Sequence, residues 1–431
     1  MRRVIRGEEC SELHRQAAAV AVIILVISVW ATLNAIANPS PSLSSEEMRY
    51  VVNPKSVDKC IKVWEFGDTI ICKTYQKHAI SMGAKSWEMK SAFIPVVNYS
   101  VISTARVGSM FEPHGKPSFL GSGVVVAVVD TGIDYMHPAF EGAILEIWTV
   151  LYRSSSGGFL HWIMGVNGSI YDLAGLDHSL RMASGEYAFA DEAGHGTHVA
   201  GIIAGRPVSG FVGFAPGAKL FIVKAFLKNG TASSDMVLDA LKIVYDSVER
   251  VGIKVVNLSW GALLNSDGSD PISVAAAKIA EKDVLVFAAA GNEGNLPFKI
   301  LSPAVHKDVI ALGAIDPETG KIAPFSSWGT TVDFRMKPDF VTAGVGIVSA
   351  RSSFSNLPRW GGSGLLACAS GTSMSAAVAS GIGAVYAEYW MEMGESRTLR
   401  ESFLEFQRNM AERINPYYKD FVSGLGIIVA P

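Results

Sequence analysis

The chain has 431 residues, 49% of them hydrophobic, and a formal net charge of −3 at pH 7. This length allows a large buried core, with room for one large domain and a smaller one. The nearly balanced charge excludes the strongly basic surface typical of nucleic-acid binding and gives no sign of an acidic substrate.

An uncharged apolar segment, residues 17–36, is long enough to cross the hydrocarbon core of a bilayer. Four arginines precede it and favour a cytoplasmic location for that flank. Ala35-Ile36-Ala37 has the small-x-small form of a signal-peptidase site. Residues 1–37 are therefore predicted to be a cleaved signal peptide or a retained membrane anchor. Both alternatives place the rest of the chain outside the cell, secreted or at the cell surface, with membrane contact only through this segment.

Cys60 and Cys72 flank a stretch that predicts two short strands around a turn at Gly67-Asp68. An oxidising compartment permits a disulfide between these cysteines, whereas an unfavourable separation of their Cα atoms would forbid it. Both outcomes stay open. Cys368 is predicted to be a small buried thiol.

The first of three chemically informative motifs is the apolar run at residues 124–129, which ends in Asp130 and a glycine turn. Because the run is apolar on both faces, it predicts a strand buried in a parallel sheet. Ligands of open α/β folds bind at the carboxyl ends of such strands. Asp130 is therefore a candidate site residue. Alternatively, it is an acid that caps a turn, because Asp-Thr-Gly is a sequence typical of turns.

The other two motifs place polar side chains at the start of small-residue helices. His195 stands between two glycines, and Ser373 follows a Gly-Thr pair. A hydroxyl in the first turn of a helix faces unpaired backbone N–H groups and the positive end of the helix dipole, which favour developing negative charge. A serine nucleophile also needs a base and a group that orients the base. His195 and Asp130 are residue types suited to those roles.

Predicted strands and helices alternate along the chain, which indicates an α/β fold with a mostly parallel central sheet and helices on both faces. The predicted strands are residues 124–130, 219–224, 254–258, 284–288 and 309–314. The predicted helices are residues 195–205, 234–252, 272–282, 373–391 and 399–414. Residues 154–185 are predicted to be a surface insertion near the binding cleft, in which residues 157–162 either touch the substrate or form a hairpin that covers a sheet edge.

With Asp130, His195 and Ser373 in this order, the chain resembles the subtilisin-like serine peptidases, or subtilases, in which the catalytic residues have the same order. The resemblance implies that Ser373 attacks a peptide carbonyl, that His195 transfers the proton and that Asp130 orients the imidazole. It also implies that Asn292, which follows a strand and a glycine, donates a hydrogen bond to the oxyanion.

The resemblance extends from about residue 119 to the C-terminus, and residues 98–431 are expected to form the peptidase domain. In this family a prosegment that assists folding and blocks the cleft usually precedes the enzyme. Residues 38–97 are therefore expected to be such a prosegment of a zymogen, or else a permanent N-terminal extension.

Ser259, Trp260 and Gly261 are similar to the edge whose backbone pairs with the substrate in this family, and the glycine allows close approach. Small residues at 288–291 are expected to line the pocket before the scissile bond and to leave room for a large apolar or aromatic side chain. Trp260 is either an aromatic wall of that pocket or part of the core.

The chemistry implied by the resemblance requires no cofactor. His195 and His198 lack a third ligand at a spacing suited to a metal site. Residues 206–210 lack the asparagine-rich loop that often forms a calcium site after the histidine helix in this family. Calcium is therefore not predicted at that site, and a structural calcium elsewhere stays open.

The predicted function is the hydrolysis of peptide bonds in protein or peptide substrates by a secreted or membrane-tethered serine endopeptidase. A dedicated processing protease of narrow specificity is the first alternative. A catalytically silent relative that binds peptides is the second alternative. The presence of Asp130, His195 and Ser373 weighs against it.

Overall fold

The computed structural model describes residues 48–76, 119–153, 159–163, 170–294, 297–415 and 420–431, together with residues 79, 82, 85–87, 89 and 94–95. The predicted signal or anchor segment at residues 17–36 lies outside these ranges. None of the helices within them has the combination of length and apolarity that a membrane span requires.

The centre of the described chain is an eight-stranded sheet. Its strands, in spatial order, are Phe340–Ala343, Ile310–Ile315, Leu285–Ala289, Ile253–Leu258, Val125–Asp130, Lys219–Lys224, Ile144–Arg153 and Phe159–Ile163. All neighbours run parallel except the last strand, which pairs antiparallel with the one beside it. The predicted α/β fold with a mostly parallel sheet is therefore confirmed.

Helices cover both faces of this sheet. The described α-helices are Ile170–Ser184, His195–Ala204, Ser234–Val251, Pro271–Ala280, Thr372–Met393 and Leu399–Met410. Along the central strand, Val126 and Val128 point into the core shared with the His195 and Thr372 helices. Ala127 and Val129 point into the core shared with the Ser234 and Pro271 helices. The strand is apolar on both faces because each face is buried under helices.

Local sequence signals set the ends of two of these helices. The side chains of Ser233 and Asp270 each accept a hydrogen bond from the backbone amide three residues further on. Pro271 then occupies the first position of its helix, where a missing N–H group costs nothing. Gly252 ends the helix that Ser233 begins, in a left-handed conformation that glycine adopts without strain.

The observed elements match most of the predicted ones to within two residues. The helix predicted at residues 399–414 is shorter and ends at Met410. In the insertion, Phe159–Ile163 forms an edge hairpin with Ile144–Arg153, as in the second alternative. The helix Ile170–Ser184 was not predicted, because its few buried apolar positions give little amphipathic signal.

The N-terminal region forms a separate four-stranded antiparallel sheet. Its strands, in spatial order, are Lys62–Phe66, Thr69–Tyr75, Met48–Val52 and Ser86–Trp87. The two strands predicted between the cysteines are therefore present. Cys60 and Cys72 form a disulfide with a Cα–Cα distance of 5.6 Å, which settles the question the sequence left open.

This N-terminal sheet packs against the helices Ser234–Val251 and Pro271–Ala280. Trp64 Nε1 donates to Asp239 Oδ1 at 2.8 Å, and Lys62 Nζ donates to Asp239 Oδ2 at 2.7 Å. Tyr50 and Lys73 donate to Asp235, a second carboxylate of the helix Ser234–Val251, each at 2.7 Å. Side chains of the N-terminal sheet thus donate hydrogen bonds to acidic side chains of the helix Ser234–Val251, which belongs to the larger α/β part of the chain.

Three short two-stranded ladders complete the described strands. Ile347–Ala350 pairs with Leu366–Ala369, and Gly329–Thr330 pairs with Met336–Lys337. In the third ladder, Ile94–Pro95 lies antiparallel to Trp260–Gly261. That last ladder brings the end of the N-terminal region to the predicted substrate-binding edge.

Candidate active site

Asp130 and His195 are in direct contact. Asp130 is the last residue of the central strand Val125–Asp130, and His195 is the first residue of the helix His195–Ala204. Asp130 Oδ1 lies 2.7 Å from His195 Nδ1, and both side chains are buried. Because a carboxylate only accepts hydrogen bonds, Nδ1 is the donor and Nε2 is left to accept a proton. Nε2 is buried and has no hydrogen-bond partner among the described residues.

Gly196 allows the helix to approach the strand this closely. A Cβ atom at this position would lie 2.3 Å from the carbonyl oxygen of Gly132 and 3.1 Å from the Cβ of Asp130. Gly194, just before the helix, has a φ angle of +89°, which residues with a side chain rarely adopt. The two glycines around His195 therefore have distinct roles, one in close approach and one in the turn.

Asp191 holds the turn that leads into His195. One carboxylate oxygen accepts hydrogen bonds from Thr131 Oγ1 and the Gly194 amide, both at 2.7 Å. The other accepts from the amide and the hydroxyl of Thr197, at 2.8 and 2.7 Å. Burial raises the pKa of Asp191, and these donors act in the opposite direction. Asp191 is fully buried, so it is a structural residue that holds this turn.

Ser373 lies in the first turn of the helix Thr372–Met393, which packs against the His195 helix. Its hydroxyl donates to the carbonyl oxygen of Ser259 at 2.6 Å. The hydroxyl of Ser259 donates in turn to the carbonyl oxygen of Ser373 at 2.8 Å. The structure therefore joins Asp130 to His195 and Ser373 to Ser259, and it does not join the Ser373 hydroxyl to His195 by a hydrogen bond.

Asn292 follows the strand Leu285–Ala289 and lies beside the residue that precedes Ser373. Its amide oxygen accepts hydrogen bonds from the backbone N–H and the hydroxyl of Thr372, each at 3.0 Å. Because the oxygen is held in this way, the orientation of the whole side-chain amide is fixed. Thr372 is a site residue that sequence reasoning missed, and its place directly before the serine was the available signal.

The three residues of the predicted substrate edge have different environments. Trp260 is fully buried, donates from Nε1 to the carbonyl oxygen of Val129 at 2.8 Å and packs against Phe226. It is therefore a core residue, and the pocket-wall alternative is wrong. The backbones of Trp260 and Gly261 pair with Ile94–Pro95, so this edge accommodates an extended segment.

Leu301 occupies part of the space expected beside residues 288–291. A Cβ atom on Gly291 would lie 2.8 Å from Leu301 Cγ, and one on Gly261 would lie 2.7 Å from Leu301 Cβ. Sequence reasoning missed this residue because it lies in another segment. The expected preference for large apolar side chains stays a prediction.

His198 lies one helical turn after His195 and faces the interior. Its Nε2 contacts the carbonyl oxygen of Ile347 at 3.1 Å. Burial, together with the charge of neighbouring His195, lowers the pKa of His198 to about 3. Within the described ranges, no group of three or more His, Cys, Asp or Glu side chains is arranged to hold a metal ion.

A parallel α/β sheet that carries a buried Asp–His pair at a strand end and a serine at a helix start defines the subtilisin-like class. Residues 121–405 match the model of the subtilase family. This match covers more than half of the chain, and the chain belongs to that family.

Two solved structures have the same fold. The S41 psychrophilic protease is 23% identical with a TM-score of 0.57, and Sphericase is 22% identical with a TM-score of 0.58. Each comparison covers 77% of this chain and 100% of the other. At this identity the likeness concerns the fold alone.

Several curated proteins are similar in sequence. The thermophilic serine proteinase of Bacillus sp. (strain AK1) is 31% identical over 62% of this chain and 52% of its own length. Serine protease AprX of Bacillus subtilis (strain 168) is 32% identical over 62% of this chain and 57% of its own length. The human membrane-bound transcription factor site-1 protease is 34% identical over 53% of this chain and 18% of its own length. The chain thus spans about half the length of the first two relatives.

Replacement of Gly196 by alanine is expected to lower turnover by about 10²-fold or more, because a displacement of roughly 1 Å in a catalytic group can cost that much. The added methyl group would push the helix away from Asp130 and lengthen the 2.7 Å contact with His195. Turnover of a peptide substrate per folded molecule measures the effect. Gly175→Ala is the control, since a Cβ atom there meets nothing within 4 Å. Equal activity of both variants would contradict the role of Gly196.

The free energy of unfolding is expected to fall as the pH decreases from 6.5 toward about 3, with His198 as one cause. Below the unfolded-state pKa of 6.5, His198 binds a proton in the unfolded chain, whereas the buried ring in the folded chain stays neutral until the pH approaches about 3. At a pH of about 5 this single linkage costs roughly 2 kcal/mol. Urea unfolding of the Ser373→Ala chain measures the loss between pH values of about 7.5 and 5. His198→Asn should reduce the loss, and an identical loss would refute the assignment.

Proposed function

We propose that the chain is a serine endopeptidase. The observation that carries the proposal is the buried 2.7 Å contact between Asp130 and His195, which leaves Nε2 of the imidazole unpartnered among the described residues. This is the arrangement that a general base requires: one ring nitrogen oriented by a carboxylate and the other available for a proton.

In the proposed mechanism the Ser373 hydroxyl turns from the carbonyl oxygen of Ser259 toward His195 Nε2 by rotation about its Cα–Cβ bond. His195 takes the proton as the serine oxygen attacks the peptide carbonyl, and then gives it to the leaving amine. Asp130 stabilises the imidazolium that forms between the two transfers. A water molecule then attacks the acyl-enzyme as His195 takes its proton, and this proton passes to the Ser373 oxygen as the carboxylic acid product leaves.

Asn292 and the backbone N–H of Ser373 are proposed to bind the oxyanion of the tetrahedral intermediate. The contacts of Thr372 with the Asn292 oxygen support this role, because they fix the orientation of the amide and identify its NH₂ group as the donating end. Donors that are fixed before the reaction need no reorganisation when negative charge develops. Their position at the start of a helix adds a favourable dipole.

We propose that protein or peptide substrates bind as an added strand on the edge formed by Trp260 and Gly261. The antiparallel pairing of Ile94–Pro95 on this edge supports the proposal, since an extended segment already occupies it. Main-chain pairing of this kind accepts many sequences, and side-chain pockets along the edge supply the selectivity.

The N-terminal region, residues 38–97, is proposed to be a prosegment that inhibits the enzyme until the backbone is cleaved. Its sheet packs on two helices of the larger unit, and its end lies on the substrate edge. The proposed location is outside the cell, secreted or tethered by residues 1–37. The Cys60–Cys72 disulfide supports an oxidising compartment.

Labelling of the chain by a fluorophosphonate probe tests the proposed function. The wild-type chain, after maturation, should be labelled and Ser373→Ala should not, since the probe reacts with an activated serine. Asn292→Ala should reduce turnover by roughly 10²- to 10³-fold, the usual effect of removing one oxyanion donor. Absence of labelling in the mature wild-type chain would favour the catalytically silent alternative. Cleavage profiling on a peptide library would distinguish a narrow processing protease from a broad one.

A prosegment role predicts that Asp239→Asn shortens the lag before the chain becomes active. Asp239 receives hydrogen bonds from Trp64 and Lys62, and the neutral amide weakens both. Asp246→Asn, on the same helix and paired only with Lys242 among the described contacts, should keep the wild-type lag. N-terminal sequencing of the active form should place its start after residue 95. An active form that retains the N-terminal sheet would show instead a permanent extension.

A further inference from the structure

Helix Ile170–Ser184 belongs to the inserted segment between the strand that ends in Asp130 and the helix that begins with His195. Most of its side chains face solvent, and Tyr171 and Met182 are each about three-quarters exposed, at 77% and 75%. Asp177 is an exception, because it is completely buried although it is an acid on a surface helix. A buried carboxylate needs strong partners to compensate for the lost hydration.

The partners of Asp177 are three consecutive backbone amides and one hydroxyl. Its Oδ1 accepts from the amides of Ala188 and Phe189 at 2.6 and 3.1 Å. Its Oδ2 accepts from the amide of Ala190 at 2.9 Å and from the hydroxyl of Tyr135 at 3.0 Å. Amides at three successive positions can converge on one carboxylate only in a narrow range of backbone paths, so Asp177 fixes the path of residues 188–190.

The segment 188–190 is in contact with both sides of the Asp130–His195 pair. The carbonyl oxygen of Phe189 accepts from the amide of Ile133, three residues after Asp130. At the other end, Ala190 leads directly into Asp191, which holds the turn before His195. A change in the path of this segment therefore moves the turn that carries His195 relative to the strand that carries Asp130.

A buried lysine binds a carbonyl oxygen of the same segment. Lys224, the last residue of the strand Lys219–Lys224, is fully buried and donates from Nζ to the carbonyl oxygen of Ala190. Burial lowers the pKa of Lys224, and the nearby carboxylates, with Asp191 first among them, oppose that change. The segment thus has its amides bound by a carboxylate and its carbonyl bound by an amine, both inaccessible to water.

We infer that Asp177 is a positioning residue of the proposed peptidase. By fixing the backbone of residues 188–190, it holds the turn before His195 in its position beside Asp130. The inference rests on the proposed function and extends it to an inserted helix that carries none of the proposed catalytic or substrate-binding residues. Asp177 acts through the backbone, so it does not take part in proton transfer.

Asp177→Asn tests the inference in the full-length chain. The amide keeps the size of the side chain but replaces one acceptor by a donor, which opposes the backbone amides of the segment. The kcat is expected to fall about 10- to 100-fold as the imidazole loses its alignment. KM should stay within about twofold of the wild-type value, since the substrate edge is untouched. The rate of fluorophosphonate labelling should fall by the same factor as kcat.

Leu173→Ala is the matched control, because Leu173 is the other buried residue of this helix and packs in the core. It should lower the melting temperature while leaving kcat per labelled molecule unchanged. If Asp177→Asn lowered the melting temperature with wild-type kcat, Asp177 would be merely structural and the inference would be wrong. If Asp177→Asn does not fold, Tyr135→Phe removes one of its four hydrogen bonds and should lower kcat by about two- to fivefold. Wild-type kcat in Tyr135→Phe would then overturn the inference.

A spectroscopic measurement separates this inference from the proposed function. In the inactive Ser373→Ala chain, the proton between His195 Nδ1 and Asp130 should give a downfield NMR signal, since short charge-assisted hydrogen bonds deshield the proton. Adding Asp177→Asn should shift or broaden the signal, whereas adding Leu173→Ala should not. An unmoved signal would refute the positioning role even if the chain proves to be a peptidase. Absence of labelling in the mature wild-type chain would refute the proposed function alone.

Discussion

The close approach of the His195 helix to the end of the Val125–Asp130 strand is the constraint on which the rest of the site depends. It brings a carboxylate and an imidazole together at 2.7 Å away from water. In such surroundings the attraction between the carboxylate and a protonated ring is stronger than in solvent, and an unpaired charge would be costly. The missing side chain at Gly196 makes this separation possible.

Several acids, some of them next to this contact, hold loops of the molecule in place. Asp177 and Asp191 bind mainly backbone amides and hydroxyls. Glu388 binds the amides of Leu120 and Gly121 at 2.7 and 2.6 Å, just before the central strand. Asp283 likewise accepts from two successive amides at the start of the last helix. A charged acceptor strengthens each of these hydrogen bonds and fixes segments that no sheet or helix would hold.

The sequence predicted those parts of the site whose signals are local. Asp130 ends a strand that is apolar on both faces, and Ser373 begins a helix of small residues, so short windows revealed both. Asp177 could not be predicted in this way, because its partners are backbone groups that any residue carries. Leu301 lies against Gly261 and Gly291, two glycines of other segments, and only the folded chain brings these residues together. Lys224 did carry a usable signal in the sequence. A lysine at the end of an apolar strand predicts a buried charge, and such a charge requires a partner.

The cysteine pair illustrates the same limit. Spacing predicted the two strands between Cys60 and Cys72, but the Cα–Cα distance that permits a bridge is a property of their register. Both ends of this bridge belong to the N-terminal sheet, so it adds no covalent link to the larger unit. A single cut in the backbone between residues 95 and 119 would leave the two pieces associated only through reversible contacts. Dilution would then decide what fraction of the smaller piece stays attached, and the disulfide would depart with it.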